Sequence, residues 1–202
     1  MRDYKQETLN FYDKHAEALA KKFTEMFDLN RRKEFGFFLD NLKGKKILDV
    51  GCGNGEHMSY FKEKGLDVIG IDFSSSMIEI SLKRGLNVHQ MDMEDLKFKD
   101  NEFDGIWAVN SLLHIDKNKF PKVIAELSRI LKPDGLLYVR VKEGEDEGMV
   151  IESHYNNEAR FFSFWKKDEL LPIFEKYFSL VKFDRIEFKG TVYLEFFFGN
   201  GK

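Results

Sequence analysis

The apolar residues in the middle of the chain follow two alternating spacings. Short apolar runs predict five strands, at residues 46–50, 67–71, 87–90, 103–109 and 136–141. Between these runs, apolar residues recur every three or four positions, which predicts helices over residues 56–64, 76–84 and 120–131. Strands and helices in this alternation predict an α/β fold with a doubly wound, mostly parallel sheet.

Local signals mark several of the predicted boundaries. Gly65 and Gly85 follow the first two helices, where a left-handed glycine commonly ends a helix. Ser76 and Glu79 have the spacing of a capping box that opens the second helix. Lys132–Gly135 combines proline, aspartate and glycine, which predicts a turn before the fifth strand.

The pattern changes on both sides of this core. Residues 3–42 have helical spacing and predict a pair of helices that caps the domain. After residue 142 the chain has an acidic loop, an irregular aromatic stretch, a short helix and two apolar runs: 143–147, 149–164, 168–176, 179–188 and 191–198. Lys189–Gly190 between the last two runs predicts an antiparallel hairpin at the sheet edge.

Composition narrows the class of protein. The chain of 202 residues is 43% hydrophobic and 33% charged, the proportions of one globular domain. Its net charge of −3 gives no sign of a nucleic-acid-binding surface. A single cysteine excludes an internal disulfide, and the sequence shows neither a membrane-spanning run nor a signal peptide. We therefore expect a cytoplasmic protein with no membrane partner.

The stretch KKILDVGCGNG, residues 45–55, predicts a ligand-binding corner. A buried strand runs into Gly51, Gly53 and Gly55, and glycine permits both positive φ and close approach of a ligand to the backbone. A dinucleotide fingerprint needs a glycine where this chain has Glu56, which disfavours a nicotinamide-dependent dehydrogenase. Asp49 beside the loop would repel a pyrophosphate and favours a ligand that carries positive charge.

Two further carboxylates follow the next two strands. Asp72 ends the second strand, at the position where a carboxylate accepts hydrogen bonds from a ribose diol. Asp92 follows the third strand and is placed to accept a hydrogen bond from an adenine amino group. Because parallel strands end at one edge of the sheet, the three carboxylates together indicate one elongated, partly cationic nucleoside.

The segments LDVGCGNG, VIGIDFSSSMI, MDMEDLKFKDNEFDGIWAVNSLLHI and ELSRILKPDGLLYV, in this order, resemble a class I S-adenosylmethionine-dependent methyltransferase of the type 11 group. The resemblance implies a Rossmann-like seven-stranded sheet of order 3-2-1-4-5-7-6, with the last strand antiparallel. It implies S-adenosyl-L-methionine as cofactor and S-adenosyl-L-homocysteine as product. The cofactor-binding residues that it implies are Asp49, Gly51, Cys52, Gly53, Asn54, Gly55, Asp72, Phe73, Met77, Asp92, Met93, Val109 and Asn110.

This resemblance also suggests how one domain, residues 1–202, is divided. Residues 1–42 form an N-terminal helical cap or lid, and residues 45–142 form the cofactor-binding core. Residues 143–202 supply a loop, a helix and the antiparallel hairpin on the substrate side.

The methyl acceptor is the least specified part of the prediction. Methyl transfer is an in-line displacement, and His114 after the fourth strand is the candidate general base. Tyr12, His15, Arg160 and Trp165 are candidate substrate contacts, drawn from the segments outside the resemblance. No His, Cys or Asp group has metal-ligand spacing, so no metal is expected.

DNA, RNA and small molecules are the acceptor classes to compare. DNA is not expected, since no proline-containing signature follows the fourth strand and Cys52 lies inside the glycine loop rather than there. The leading hypothesis is methyl transfer to a small molecule. An RNA-modifying methyltransferase and a non-catalytic cofactor-binding partner protein are the alternatives.

Overall fold

The computed structural model describes residues 3–28 and 33–201, to which the statements below refer. Three helices precede the first strand: α1 (Tyr4–Lys14), α2 (Ala16–Asp28) and α3 (Lys33–Asn41). The sequence predicts a pair of helices here, and the structure divides the first of them at His15. That residue leaves helical geometry, with φ −108° and ψ 15°.

Nine strands are present in the described residues: β1 (Lys46–Val50), β2 (Asp67–Asp72), β3 (Asn87–Gln90), β4 (Phe103–Val109), β5 (Leu131–Lys142), β6 (Glu147–Glu152), β7 (Glu158–Ser163), β8 (Ser179–Phe188) and β9 (Thr191–Gly199). Seven of them form the central sheet in the order β3-β2-β1-β4-β5-β9-β8. Strands β1 to β5 pair in parallel, whereas β9 is antiparallel to both of its neighbours. The implied doubly wound sheet, its strand order and its antiparallel last strand are confirmed.

Helices α4 (Glu56–Glu63), α5 (Ser75–Lys83), α6 (Phe120–Ile130) and α7 (Lys167–Phe174) complete the fold, with one turn of 3₁₀ helix at Leu112–His114. Alternate residues of the sheet face opposite helices, because successive strand side chains point to opposite faces. One face packs on α6 and α7, and its buried members include Ile106, Val139 and Phe196. The other packs on α3 and α4 through Phe38, Phe61, Trp107, Tyr138 and Phe197.

The helices α1 and α2 have a separate, smaller hydrophobic cluster. Phe11, Ala16 and Leu19 are buried against Met77 of α5. This packing holds α1 and α2 over the carboxyl edge of the sheet instead of on either face. None of the helices in the described residues is long and apolar enough to cross a lipid bilayer.

The segment predicted to be irregular, residues 149–164, is largely an ordered hairpin. Strands β6 and β7 pair in antiparallel fashion from Glu147 opposite Ser163 to Glu152 opposite Glu158. The backbone amide of Phe161 donates to Oγ1 of Thr8 at 2.9 Å, which joins β7 to α1. The prediction was wrong here because the two halves are ordered by pairing with each other, which no local signal reports.

Two predicted boundaries also differ. The turn expected at Lys132–Gly135 lies inside β5, as an irregularity between the pairs Phe103–Leu131 and Gly105–Leu136. The cap of α5 is Ser74 rather than Ser76, and its Oγ accepts from the amide of Met77 at 3.1 Å.

Candidate active site

A cavity of about 320 Å³ lies at the carboxyl edge of the central sheet, beneath α1 and α2. Its walls come from residues 51–54 of the glycine loop, from the ends of β2, β4 and β5, and from β7. Open parallel sheets bind ligands at this edge. The structure brings most of the predicted site residues together here: Tyr12, Gly51, Cys52, Gly53, Asn54, Asp72, Phe73, Met77, Asp92, Met93, Val109, Asn110, His114 and Arg160.

Two of the tentative substrate residues lie outside this lining. His15 pairs through Nε2 with a carboxylate oxygen of Glu158 at 3.2 Å. Trp165 is buried against the ring of Phe120, with centroids 4.6 Å apart, and its indole N–H donates to Ser163 at 3.2 Å. Both side chains are therefore occupied in packing the structure, and their placement gives no support to a substrate contact.

The glycine loop has a geometry that requires Gly51. This residue has φ +72°, and a Cβ built there would lie 2.3 Å from Cβ of Ser111. The amides of Gly51 and Cys52 both donate to the carbonyl of Ile71, at 2.8 and 2.9 Å, so the loop is folded against the end of β2. Burial raises the pKa of the Cys52 thiol. The side chain is therefore a neutral thiol that packs between the loop and the sheet.

Asp72 connects the glycine loop to the turn after β2. Its carboxylate accepts from the amide of Gly53 at 2.8 Å and from the amide of Ser74 at 2.9 Å. Burial raises the pKa of Asp72, and the two amide hydrogen bonds oppose that shift. A carboxylate fixed by backbone donors on the cavity wall still has free lone pairs for a diol.

Asp49 lies just below the cavity. Its burial and hydrogen bonding indicate whether the site suits a cationic ligand. Its side chain is 1% exposed, and Oδ2 has no hydrogen-bond partner among the described residues. Burial, with the nearby charge of Asp72, raises the pKa of Asp49 to about 8. Oδ1 of Asn110, at the end of β4, is a second buried acceptor without a partner there. Acceptors in such surroundings require donors, and the ammonium group of a cationic ligand can supply them.

The β3 end of the cavity is closed by a residue of α1. Lys5 forms an ion pair with Asp92 and a second one with Glu94 at 2.8 Å. The other oxygen of Asp92 accepts from the amide of Glu94 at 2.9 Å. Burial lowers the pKa of Lys5, but the two acidic partners outweigh it and the net shift is upward. The α1 helix is thereby attached across the end of β3.

A buried hydrogen-bond chain joins α1, the 3₁₀ turn and β7. Nδ1 of His114 lies 2.6 Å from the carbonyl of Phe161 and can only donate to it. Nε2 therefore carries the lone pair, and it accepts from the hydroxyl of Tyr12 at 2.8 Å. Burial, together with the charge of Arg160, lowers the pKa of His114 to about 3, so the imidazole is neutral. The same guanidinium donates to the Tyr12 oxygen at 2.6 Å.

The counterion of Arg160 is Glu152, which lies in the same hairpin of β6 and β7. Its Nε and Nη2 both donate to one oxygen of Glu152, at 3.0 and 2.7 Å. The carboxylates of the acidic loop, residues 143–147, are paired elsewhere, with Glu143 on Arg185 and Glu145 on Lys166, each at 2.6 Å.

The floor beyond β4 carries polar groups that the motifs do not reveal. Nε1 of Trp107 donates to Nδ1 of His57 at 3.2 Å, and burial lowers the pKa of His57 to about 4. Arg140 lies against the ring of Tyr193, with 4.1 Å between guanidinium carbon and centroid, and pairs with Glu195 at 3.5 Å.

Sequence reasoning missed several lining residues, among them Lys5, His57, Tyr138, Arg140, Lys142 and Tyr193. One signal for them exists. Tyr138, Arg140 and Lys142 occupy alternate positions of a strand that is otherwise buried, so one face carries three polar groups toward its carboxyl end. Lys5 has no comparable signal, because its partner Asp92 lies 87 positions away.

Comparison with known proteins agrees with this geometry. A family model described as a methyltransferase domain matches residues 48–139, which include the end of β1, all of β2 to β4 and most of β5. Residues 48–139 thus form a methyltransferase domain similar to those of the class I S-adenosylmethionine-dependent methyltransferases. As in that family, its cofactor is S-adenosylmethionine, and the unpartnered acceptors below the glycine loop suit the cationic part of that molecule.

Methyltransferases and one uncharacterized protein are among the curated relatives. The uncharacterized protein, from Methanocaldococcus jannaschii, is 33% identical over 66% of this chain and 62% of its own length. Phosphoethanolamine N-methyltransferase 3 of Arabidopsis thaliana is 32% identical over 62% of this chain and 27% of its own length. A probable tRNA methyltransferase 9B of Mus musculus is 29% identical over 62% of this chain and 28% of its own length.

Solved methyltransferases share the fold. The 1,6-didemethyltoxoflavin N1-methyltransferase of Burkholderia thailandensis, solved with its substrate and S-adenosylhomocysteine, superposes with a TM-score of 0.69 at 19% identity. That match covers 94% of this chain and 90% of the other chain. Among the described residues of this chain, no group of three or more His, Cys, Asp or Glu side chains is arranged to hold a metal ion.

Proposed function

We propose that this chain transfers the methyl group of S-adenosylmethionine to a small-molecule acceptor by in-line displacement. One observation carries the proposal: most of the implied cofactor residues and the Tyr12–His114 pair line the same cavity, which α1 and α2 cover. A covered cavity of about 320 Å³ is in the size range of small-molecule sites. It leaves the acceptor to enter beside the cofactor, not across an open groove.

The chain's own residues divide the cofactor among three elements. The glycine loop and the acceptors on Asp49 and Asn110 suit the methionine part. Asp72 suits the ribose diol, and Asp92 with Met93 suits the adenine edge. The bound cofactor supplies a methyl group that its sulfonium already activates, so the protein mainly has to position the acceptor and exclude water.

The Tyr12–His114 pair is suited to orienting an acceptor. With a pKa of about 3, protonating His114 at pH 7 costs about 5 kcal/mol, so the imidazole is a poor final base. Its neutral Nε2 fixes the direction of the Tyr12 O–H, and Arg160 fixes the phenol oxygen from the other side. We therefore assign His114 to positioning Tyr12, and we expect an acceptor atom that arrives with a free lone pair, such as a neutral amine.

Calorimetry with S-adenosylmethionine and S-adenosylhomocysteine tests the cofactor part directly. Binding of neither would overturn the proposal. The acceptor class is tested by incubating the protein with methyl-labelled cofactor and a cell extract, then separating small molecules from RNA and protein. Label in the small-molecule fraction is the expected result, and label confined to RNA would replace the acceptor class.

RNA is the second acceptor candidate because a probable tRNA methyltransferase is among the relatives. It predicts salt-dependent binding of tRNA, since contacts with phosphates release counterions. A protein that binds the cofactor and labels no fraction would instead support the non-catalytic alternative.

A further inference from the structure

Three cationic side chains share one carboxylate at the β5 end of the cavity. Arg160 from β7, Lys142 from the end of β5 and Lys22 from α2 all line it. Glu152 interacts electrostatically with all three of these charges and forms its ion pair with Arg160. The four formal charges therefore sum to +2, on a wall where Arg160 is buried, Lys142 is half-buried and Lys22 is exposed.

Neither lysine of this group forms an ion pair among the described residues, and Lys142 is the more buried of the two. Among residues 3–28 and 33–201, no carboxylate lies within ion-pair distance of its ammonium group. The ammonium nitrogen lies 4.2 Å from the centroid of the Phe162 ring. Burial, with the neighbouring charges of Arg160 and Lys22, lowers the pKa of Lys142. A half-buried cation in this position lacks the anionic partner that such groups normally have.

The other charged groups of the cavity already have partners. Arg140 is paired with Glu195, and Lys5 with Asp92. Glu56 is held by Arg84. Asp72 accepts two backbone amides at the cofactor end, and Glu34 has contacts of its own near Tyr138. His57 and His114 are neutral, so neither of them changes the excess positive charge near Lys142.

The position of Lys142 separates this charge from the cofactor. The glycine loop follows β1, and the sheet order places β4 between β1 and β5. Lys142 and its pairing partner Tyr193 thus lie two strands away from the loop, at the same edge of the sheet. A molecule anchored at Lys142 would extend back over the end of β4, where Asn110 and His114 lie.

We infer that the methyl acceptor carries an anionic group, a carboxylate or a phosphate, which binds the Lys142 ammonium beside Arg160 and Lys22. This inference rests on the proposed function and adds the acceptor's charge to it. The ammonium is a point-charge ligand for either anion, and Arg160 contributes its field while its own donors hold Glu152 and Tyr12. An acceptor of this kind has its nucleophilic atom at the other end of the molecule.

The test is calorimetric titration of the protein with inorganic phosphate and, separately, with acetate, with and without saturating S-adenosylhomocysteine. We expect at least one anion to bind, and Lys142→Met to weaken it by about tenfold or more, the effect of losing one close charge. Lys142→Arg should keep most of the affinity. Lys122→Met on the outer face of α6 is the matched control for charge and should change nothing. Lys22→Met, at an exposed position, tests the same cluster if the Lys142 variant folds poorly.

Each outcome decides the inference. Preference for phosphate or for acetate identifies the anion class. No binding of either anion, or equal weakening by Lys122→Met, would overturn it. Displacement of S-adenosylhomocysteine by the anions would also overturn it, because the cluster would then belong to the cofactor. Failure of the proposed function appears separately, as absence of S-adenosylhomocysteine binding.

Discussion

The hydroxyl of Tyr12 lies 2.8 Å from Nε2 of His114, although 102 positions separate the two residues in the chain. Tyr12 belongs to α1 and His114 to the turn after β4, so this bond joins the helical cover to the sheet edge. Arg160 on β7 completes the junction. The helices α1 and α2 are thus attached to the carboxyl edge of the sheet across the cavity.

Replacing Tyr12 with phenylalanine should slow methyl transfer by about 10- to 100-fold, because a charge-assisted hydrogen bond is lost at that point. Affinity for S-adenosylhomocysteine should stay within about twofold, because the bonds from Tyr12 go to His114 and Arg160. Steady-state kinetics with the acceptor found by labelling, together with calorimetry, measures both. Tyr155→Phe is the matched control, since Tyr155 packs on Phe11 outside the cavity. Equal rates for wild type and Tyr12→Phe would remove Tyr12 from the reaction.

Asp72→Ala should weaken S-adenosylhomocysteine binding by about 10- to 100-fold, because the variant loses the proposed diol acceptor and releases the amide of Gly53. Asp67→Ala, at the exposed start of the same strand, should leave affinity unchanged. Calorimetry on both variants separates a ribose contact from a general effect of charge. Unchanged affinity in Asp72→Ala would contradict the assignment.

Most residues predicted to bind the cofactor line one cavity, and the signals that placed them there are local. Short continuous segments contain these signals: β1 with the glycines around Gly51, and β2 with the carboxylate of Asp72. The acceptor half depends on distant segments that meet only after folding. Lys142 of β5 and Arg160 of β7 line one cavity, and β7 was not predicted as a strand. Trp165, chosen for its aromatic ring, is instead buried against Phe120.

Proton release on cofactor binding should report the charge of Asp49. With a pKa of about 8 in the ligand-free protein, this carboxyl is mostly protonated at pH 7, and a bound cation lowers its pKa. Binding of S-adenosylmethionine at pH 7 should therefore release up to about one proton, and the release should fade by about pH 9. Calorimetry in buffers of different ionisation enthalpy measures it. Asp49→Asn should abolish the release, and undiminished release from that variant would place the proton elsewhere.

The same pKa predicts how stability depends on pH. The folded protein binds a proton at Asp49 between about pH 4 and pH 8, while the unfolded chain does not, so the free energy of unfolding falls as pH rises through that window. Asp49→Asn should flatten this slope and raise the stability of the ligand-free protein at pH 8. Urea unfolding at pH 5 and pH 8 compares the two proteins. A wild-type slope retained in the variant would contradict the raised pKa.

Gly51→Ala should abolish measurable cofactor binding and lower the melting temperature. The alanine would have to adopt φ +72°, which costs about 1–2 kcal/mol, and its Cβ would overlap Cβ of Ser111 at 2.3 Å. Relief of that overlap moves the loop whose amides are bonded to Ile71, and the cavity wall moves with it. Gly148→Ala is the matched control, because a Cβ there meets open space and its φ lies outside the left-handed region. Thermal unfolding with and without S-adenosylhomocysteine compares the variants. The contrary outcome is that S-adenosylhomocysteine stabilises the Gly51→Ala protein as much as it stabilises the wild type. That result would show that the loop tolerates a side chain and does not line the cofactor closely.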